Sequence, residues 1–150
     1  MTVPVVIALG SNLGNRMLHL RRAIDALRRT IALVRLSAIY ETTAVDMPAG
    51  SPRFLNMVVA GHTALRAEEL LDALLAIEAR LGRRRTTRNA SRTIDLDLVL
   101  YGAYLKRSPR LTLPHPRFRA REFVLAPLRS LALGWMDPST GIAIDGSRAF

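Results

Sequence analysis

The sequence predicts an α+β domain whose core follows the order β-α-β-β-α-β, with further elements at the carboxyl end. Two observations carry this prediction. Apolar residues recur at helical spacing in two segments, and four apolar or alternating runs of strand length flank those segments. This order is typical of a ferredoxin-like sandwich, in which helices and sheet share one core. With 150 residues the chain can bury a substantial core, so residues 1–150 are expected to form a single domain.

The amino-terminal half supplies three strands and the first helix. Residues 3–9 form a short apolar run rich in β-branched residues, which predicts a buried strand before a glycine-rich turn. Asn15 is a suitable N-cap for the helix. The apolar stripe of that helix consists of Met17, Leu20, Ile24, Leu27 and Ile31. Residues 31–40 and 54–63 are predicted strands, and the proline-containing residues 41–53 between them are a predicted loop.

The carboxyl-terminal half begins with the second helix, predicted over residues 67–81 and ended by Gly82. The apolar stripe of this helix consists of Leu70, Leu74, Ile77 and Leu81. The strand of residues 92–101 completes the core, and residues 105–113 are predicted to form a hairpin with it. Residues 123–128 form a short apolar segment, and turn signals dominate the rest of the chain.

The last core strand carries the strongest functional signal. Its residues alternate with period 2, so the side chains fall on two faces. Ile94, Leu96, Leu98 and Leu100 are expected on one face. Asp95 and Asp97 are expected on the other, about 7 Å apart along the backbone. Such close like charges repel each other, and a bound Mg²⁺ ion would relieve that repulsion. The alternative is a half-exposed strand with two solvated aspartates.

Residues 83–92 lie directly before the acidic pair and contain five arginines and few apolar residues, which predicts a mobile loop. One guanidinium group can bind a phosphate group through two parallel hydrogen bonds. Carboxylates for a metal ion beside arginines for the remaining phosphate charge are what a Mg²⁺–polyphosphate site requires. A solvated charged surface or a nucleic-acid patch is the alternative for the loop.

Three other polar residues need an explanation. Asn56 lies near the start of a predicted strand, where its amide is either a structural group or a ligand-binding group. His115 lies between Pro114 and Pro116, which restrict its direction, although a single histidine is more often structural. Glu78 lies near the carboxyl end of the second helix, where a negative charge opposes the helix dipole. A functional role or an arginine partner would explain that placement.

Composition limits the class of protein. The chain is 49% apolar and has no cysteine, which excludes disulfides and thiolate zinc sites. No apolar run approaches the ~20 residues needed to span a bilayer, and the amino terminus does not resemble a signal peptide. A cytoplasmic protein without membrane contact is therefore expected. The net charge of +10 favours anionic partners, either nucleotide phosphates or nucleic acid.

An RNA-recognition module is the rival from a different class, because such modules have a similar element order. They stack bases on exposed aromatic residues, but aromatic residues are only 5% of this chain. Asp95 and Asp97 would also face the RNA phosphates. The sequence therefore argues against nucleic acid as a partner, and a catalytically inactive domain is disfavoured because the carboxylates and His115 are all present.

Several motifs occur together in a characteristic order. They are Ala8-Leu9-Gly10-Ser11-Asn12-Leu13-Gly14, Tyr40-Glu41-Thr42, Phe54-Leu55-Asn56, Ile77-Glu78 with Leu81-Gly82-Arg83, Arg92-Thr93-Ile94-Asp95-Leu96-Asp97-Leu98, and Leu113-Pro114-His115-Pro116 with Arg121-Glu122-Phe123. With these motifs the chain resembles the 6-hydroxymethyl-7,8-dihydropterin pyrophosphokinases of folate synthesis over nearly its whole length. The resemblance implies transfer of a pyrophosphoryl group from ATP to the hydroxymethyl group of a reduced pterin, with release of AMP. Spacing alone does not decide between AMP and ADP as the product.

The resemblance also implies roles for individual residues. Asp95 and Asp97 would hold two Mg²⁺ ions and, with Arg83 and Arg92, form the catalytic group. The implied nucleotide-binding residues are Glu78, Arg85, Arg88, Arg92, Leu98, His115 and Arg121. The implied pterin-binding residues are Thr42, Thr43, Val45, Phe54, Asn56 and Phe123, with the two phenylalanines on either side of the flat ring. A monomer that binds only pterin and ATP is expected.

The chain departs from the common family pattern at two places. Asn89-Ala90-Ser91 stands where many relatives have Trp-Gly-Pro, and Thr43 stands where proline is frequent. Neither change touches the proposed metal ligands, so the departures bear on ligand affinity more than on the reaction.

Overall fold

A computed structural model of the chain describes residues 1–43, 49–82 and 93–144. The strands are β1 (Val3–Ser11), β2 (Ala32–Leu36), β3 (Tyr40–Thr42), β4 (Phe54–Thr63), β5 (Asp95–Tyr101), β6 (Lys106–Arg107) and β7 (Thr112–Leu113). The helices are α1 (Arg16–Arg28), α2 (Ala67–Arg80) and α3 (Glu122–Leu131), with a single 3₁₀ turn at Phe118–Ala120. The order up to β5 is thus β-α-β-β-β-α-β, with one strand more than predicted. Asn15 caps α1 as expected by accepting a hydrogen bond from the Leu18 amide.

The main sheet is antiparallel and has the strand order β2-β4-β1-β5, with β3 paired to the first residues of β4. The prediction of one continuous strand over residues 31–40 is wrong, because β2 and β3 are separate. Ser37 lies in the break. Its amide donates to the Val58 carbonyl, and its hydroxyl accepts the Val58 amide. A side-chain oxygen thus replaces a backbone carbonyl there, which lets the chain leave the regular ladder.

Helices cover both faces of the sheet. The first core packs α1 and α2 against one face, and its strand residues include Val5, Ile7 and Leu9 of β1. The second core packs α3 and Phe118 against the other face, where Val6 of β1 lies. Neighbouring residues of β1 therefore alternate between two buried environments, as the period of a strand requires.

The alternation in β5 is interrupted once. Leu98 is opposite Ile7 and Leu100 is opposite Val6, so Val99 is an additional residue between two pairs. Such a bulge reverses which side chains face which way beyond it. Leu100 consequently lies in the second core with Val99, and the prediction that it shares a face with Ile94, Leu96 and Leu98 is wrong.

The carboxyl-terminal region differs from its prediction in two ways. Residues 105–113 do form a hairpin, but β6 pairs with β7 and not with β5. Residues 123–128 belong to α3, which sequence reasoning missed because Pro127 lies inside the helix. The helix tolerates Pro127 since its buried face, formed by Val124, Pro127, Leu128 and Leu131, packs in the second core. Within the described ranges, no helix is long and apolar enough to cross a membrane.

Candidate active site

One row of paired residues crosses the sheet and places the main candidates together. Asp95 is opposite Gly10, Gly10 is opposite Asn56, and Asn56 is opposite Tyr40. Directly paired residues of antiparallel strands project from the same face. With strands about 4.8 Å apart, the backbones at Asp95 and Asn56 are about 10 Å apart. The predicted metal ligand and the predicted pterin-binding amide therefore share one face of the sheet, with a glycine between them.

Gly10 leaves room at the centre of this row. A Cβ atom at that position would lie 3.1 Å from Oδ1 of Asn56 and 3.4 Å from Cδ1 of Phe54. Towards the site, the residues of β1 on this face are Val6, Ala8 and then Gly10, so the side chains become progressively smaller. Sequence reasoning treated Gly10 as part of a turn, although the period-2 pattern of β1 together with the β5 pairing would have placed it beside the acidic pair.

The acidic pair is present as predicted, on the face opposite to the first core. Asp95 and Asp97 are opposite Gly10 and Ala8, and both are partly buried. Arg121 Nη1 lies 3.8 Å from Oδ2 of Asp97, and the guanidinium of the same arginine lies 5.4 Å from the ring centroid of Phe123. Arg121 thus links the predicted metal ligands to one of the predicted pterin-binding aromatics, although it precedes α3 and lies far from β5 in sequence.

His115 is held against β5, the strand that carries the two aspartates. It follows the cis Leu113–Pro114 peptide bond, and its amide donates to the Val99 carbonyl of β5 at 2.8 Å. Burial, with smaller contributions from the positive charges of Arg121 and Arg117, lowers the pKa of His115 to about 4, against an opposing contribution from Asp95. The imidazole is therefore neutral near pH 7. Because Nδ1 accepts the Arg117 amide at 3.2 Å, the proton is on Nε2, which can donate one hydrogen bond.

The pterin-binding candidates lie at the other end of the row. Asn56 is 5% exposed, and its Nδ2 donates to the Thr42 hydroxyl on the neighbouring strand β3. That bond leaves the amide carbonyl of Asn56 for other partners. Phe54 is opposite Thr42 and precedes Asn56 by two residues, so it projects from the same face. Phe123 begins α3 and packs against the second core while remaining partly exposed. Thr43, after the end of β3, is exposed.

The two remaining nucleotide-binding candidates lie on the other side of β5. The Leu98 side chain is 4% exposed and belongs to the first core, so only its backbone is available to a ligand. Glu78 of α2 is 3% exposed, and its Oε2 accepts the Leu96 amide at 2.8 Å. The other predicted residues, Val45, Arg83, Arg85, Arg88 and Arg92, lie outside the described residues.

The site offers hard oxygen ligands but few of them. Within residues 1–43, 49–82 and 93–144, no group of three or more histidine, aspartate or glutamate side chains could hold a metal ion. Asp95 and Asp97 are the two carboxylates that β5 presents on the face of Gly10 and Asn56. Two carboxylates are a suitable donor set for Mg²⁺, which is usually held by one or two carboxylates together with substrate phosphates.

Comparison with known proteins identifies the family of the chain. The sequence model of the 7,8-dihydro-6-hydroxymethylpterin-pyrophosphokinase family matches residues 6–133, a span that contains every residue of the site described above. The chain belongs to this family.

Two relatives illustrate how family members differ in length. The chain is 45% identical over 130 residues to the 2-amino-4-hydroxy-6-hydroxymethyldihydropteridine pyrophosphokinase of Pseudomonas aeruginosa, with 85% of this chain and 80% of that protein covered. It is 44% identical over 137 residues to the mitochondrial folate synthesis bifunctional protein of Arabidopsis thaliana. That match covers 91% of this chain but only 24% of the plant protein. The chain therefore spans about a quarter of that relative.

A solved structure has the same fold. It is a crystal structure of HPPK-DHPS in complex with substrates. This chain superimposes on it with a TM-score of 0.67 at 12% sequence identity. The superposition covers 89% of this chain and 40% of the other chain. This chain, with its antiparallel sheet and three described helices, thus shares its fold with part of the solved structure.

Proposed function

We propose that this protein transfers pyrophosphate from ATP to the hydroxymethyl group of 6-hydroxymethyl-7,8-dihydropterin, giving AMP and the pterin diphosphate, in folate biosynthesis. Membership of the family supports the reaction class. The single structural observation that carries the proposal is the row Asp95–Gly10–Asn56, which sets a carboxylate and a buried amide on one face of the sheet with a glycine between them.

Asp95 and Asp97 are the residues that would hold Mg²⁺, with two ions expected. Bound there, such ions would neutralise charge on the phosphate oxygens and help to orient the triphosphate. The protein contribution is to keep both carboxylates on one face, where they would hold the metal ions that bind the phosphate oxygens. Partial burial strengthens this effect, because electrostatic interactions are less screened by water there.

The cationic groups complete the nucleotide site. Arg121 lies beside Asp97 and is suited to pair with a phosphate oxygen. His115 is neutral and donates through Nε2, so it offers a hydrogen bond to the same triphosphate without adding charge. Arg83 and Arg92 are assigned to the catalytic group, and Arg85 and Arg88 to binding of the nucleotide. The edge of β5 at Leu98 would contribute backbone groups to the nucleotide.

The pterin would lie over Gly10, with its polar edge at Asn56 and its ring between Phe54 and Phe123. The amide carbonyl of Asn56 suits the amino and ring N–H groups of a pterin, and Thr42 holds that amide in place. Thr43 and Val45 would complete the pocket wall. This orientation directs the substituent at the opposite end of the ring towards Asp95. Positioning and electrostatic stabilisation would then account for most of the rate, so no general base is assigned.

Product analysis tests the proposal directly. The protein is mixed with ATP, Mg²⁺ and the reduced pterin, and the nucleotides and pterins are separated by chromatography. AMP and pterin diphosphate in equal amounts are expected, because attack occurs at the β-phosphorus. Stoichiometric ADP with a pterin monophosphate would contradict the pyrophosphokinase assignment, even if both aspartates proved essential.

Four expectations about fold, domain number, oligomeric state and location accompany this function. We infer a ferredoxin-like sandwich, which the strand order β2-β4-β1-β5 and the positions of α1 and α2 support. A single domain over residues 1–150, a monomer and a cytoplasmic location stay predictions. The plant relative named as mitochondrial shows that location varies within the family.

A further inference from the structure

The buried carboxylate of Glu78 has an unusual partner. Its Oε2 lies 2.8 Å from the backbone nitrogen of Leu96, and Leu96 is the residue between the two aspartates of the proposed metal site. Glu78 is 3% exposed and Leu96 is 5% exposed, so the hydrogen bond is shielded from water. A carboxylate accepting a backbone N–H in such an environment makes one of the stronger hydrogen bonds in proteins.

The position of β5 in the sheet explains why its backbone needs this partner. Among the described strands, β5 ends the order β2-β4-β1-β5. Alternate residues of an edge strand direct their backbone groups away from the sheet. Asp95 and Asp97 are paired to Gly10 and Ala8, whereas the Leu96 amide points to α2. Without Glu78, this buried donor would lose its partner, which is costly.

Glu78 lies on the opposite side of β5 from the proposed reaction. It projects from α2, which packs in the first core, while the two aspartates project from the other face. The placement also explains an oddity of the sequence, a negative charge near the carboxyl end of a helix. The energetic cost of that charge is offset by its hydrogen bond to the strand.

We propose that Glu78 is a positioning residue, which fixes the backbone between Asp95 and Asp97 through Leu96 and thereby sets the two carboxylates for the metal–nucleotide complex. This inference rests on the proposed function for its catalytic consequence. It assigns Glu78 a role different from direct contact with the nucleotide. Glu78 fixes the peptide group at Leu96 in β5. A movement of that peptide group would displace the aspartates on either side of it.

Three substitutions separate the two roles. Glu78→Gln keeps an acceptor oxygen at the same reach and removes the charge. Glu78→Ala removes the acceptor. Asp72→Ala removes an exposed carboxylate from the same helix, whose partner is Arg110 on the surface, and serves as the matched control. All three variants are compared with the unchanged chain by hydrogen exchange of the Leu96 amide, by thermal unfolding and by steady-state kinetics.

The expected result is a graded response. In Glu78→Ala the Leu96 amide should exchange about 10- to 100-fold faster than in the unchanged chain, because its hydrogen bond is lost. The kcat should fall by about 10- to 100-fold, as it does when outer partners of metal ligands are removed, with the KM for ATP nearly unchanged. Glu78→Gln should restore most of both properties, and Asp72→Ala should change neither.

Two results would overturn the proposal. One is unchanged Leu96 exchange in Glu78→Ala. The other is a large rise in the KM for ATP in Glu78→Gln with kcat preserved, since that pattern indicates direct nucleotide contact. Failure of the proposed function is distinguished because it appears as missing AMP in the unchanged chain. The exchange measurement needs no substrate, so it tests the Leu96 contact in either case.

Discussion

The two faces of the sheet use the same strands for opposite purposes. On the face covered by α1 and α2, β1 presents Val5, Ile7 and Leu9, each at most 1% exposed. On the other face, β1 presents Val6, which is buried in the second core with α3, then Ala8, which is partly buried against it, and then Gly10. The first face is apolar from Val5 to Leu9. The second face changes from core to site along a single strand, because its side chains become smaller towards Gly10.

This difference separates stability from chemistry. Substitutions of the apolar core residues on the face packed by α1 and α2 should affect folding and leave the reaction intact. Glu78 is the exception on that side, because it contacts the backbone of β5 between the two aspartates. Substitutions at the open end of the other face should affect the reaction and leave folding nearly intact. The first three of the following experiments test that separation, and the fourth tests how a residue at the open end responds to pH. They run from the largest expected effect to the smallest.

Replacing Asp95 or Asp97 with alanine should lower kcat by several orders of magnitude. Each carboxylate is expected to contribute preorganised charge stabilisation of roughly 3 kcal/mol or more. Steady-state kinetics at saturating Mg²⁺ measures the effect, and Asp25→Ala, an exposed carboxylate on α1, is the control. If both single variants kept near-normal kcat, the metal assignment would be wrong.

Replacing Ile7 with alanine should have the reverse effect. Ile7 is fully buried in the first core and pairs with Leu98 of β5. Its truncation should lower the free energy of unfolding by about 2–5 kcal/mol, as for other large-to-small core changes. Urea unfolding measures this change. The kcat measured well below the melting temperature should stay close to that of the unchanged chain, and a large loss would refute the separation between the faces.

Gly10→Ala should weaken pterin binding by about tenfold, the equivalent of roughly one disturbed hydrogen bond. The added Cβ would meet Oδ1 of Asn56 at 3.1 Å and force that amide to move. Gly61→Ala is the matched control on the other face, where the Cβ would meet the Ala32 carbonyl oxygen at 2.5 Å. The Gly61→Ala variant should have a lower melting temperature, and its affinity for the pterin should stay close to that of the unchanged chain. Titration calorimetry with pterin and with nucleotide, alongside melting curves, distinguishes the outcomes. Equal loss of affinity for both ligands in Gly10→Ala would contradict the prediction.

His115 should make folding sensitive to mild acid. Its pKa is lowered to about 4 in the folded chain by burial and by the charges of Arg121 and Arg117, against the effect of Asp95. The unfolded chain binds that proton near pH 6.5. Between these values the unfolded state binds more protons, so stability is complete above about pH 6.5 and is lost as the pH falls towards about 4. The expected loss is about 1–2 kcal/mol at pH 5, after allowing for solvent screening of a partly exposed ring.

Comparison with His115→Gln isolates this contribution, because the carboxylates titrate alike in both proteins. Urea unfolding at pH 7 and pH 5 should show a smaller pH dependence in the variant. An identical pH dependence would mean that the folded and unfolded chains bind the His115 proton equally well.

Local patterns were sufficient to predict much of the fold. The period of 3.6 in α1 and α2, the apolar β-branched run of β1 and the period of 2 in β5 are properties of neighbouring residues, so the sequence alone determined those elements. It also placed Asp95 and Asp97 on one face, because alternation in a strand needs no partner. The bulge at Val99, the break at Ser37 and the helix around Pro127 were missed, since each is stabilised by contacts with distant residues.

The tertiary structure decided which residues lie next to Asp95 and Asp97. Pairing of β5 with β1, and of β1 with β4, brings Asp95 into one row with Gly10 and Asn56. Arg121 and His115 reach the same place from the far end of the chain. The role of Glu78 likewise depends on where α2 packs. Strand register and helix packing depend on the apolar surface buried over the whole core. They cannot be predicted from a short stretch of sequence for that reason.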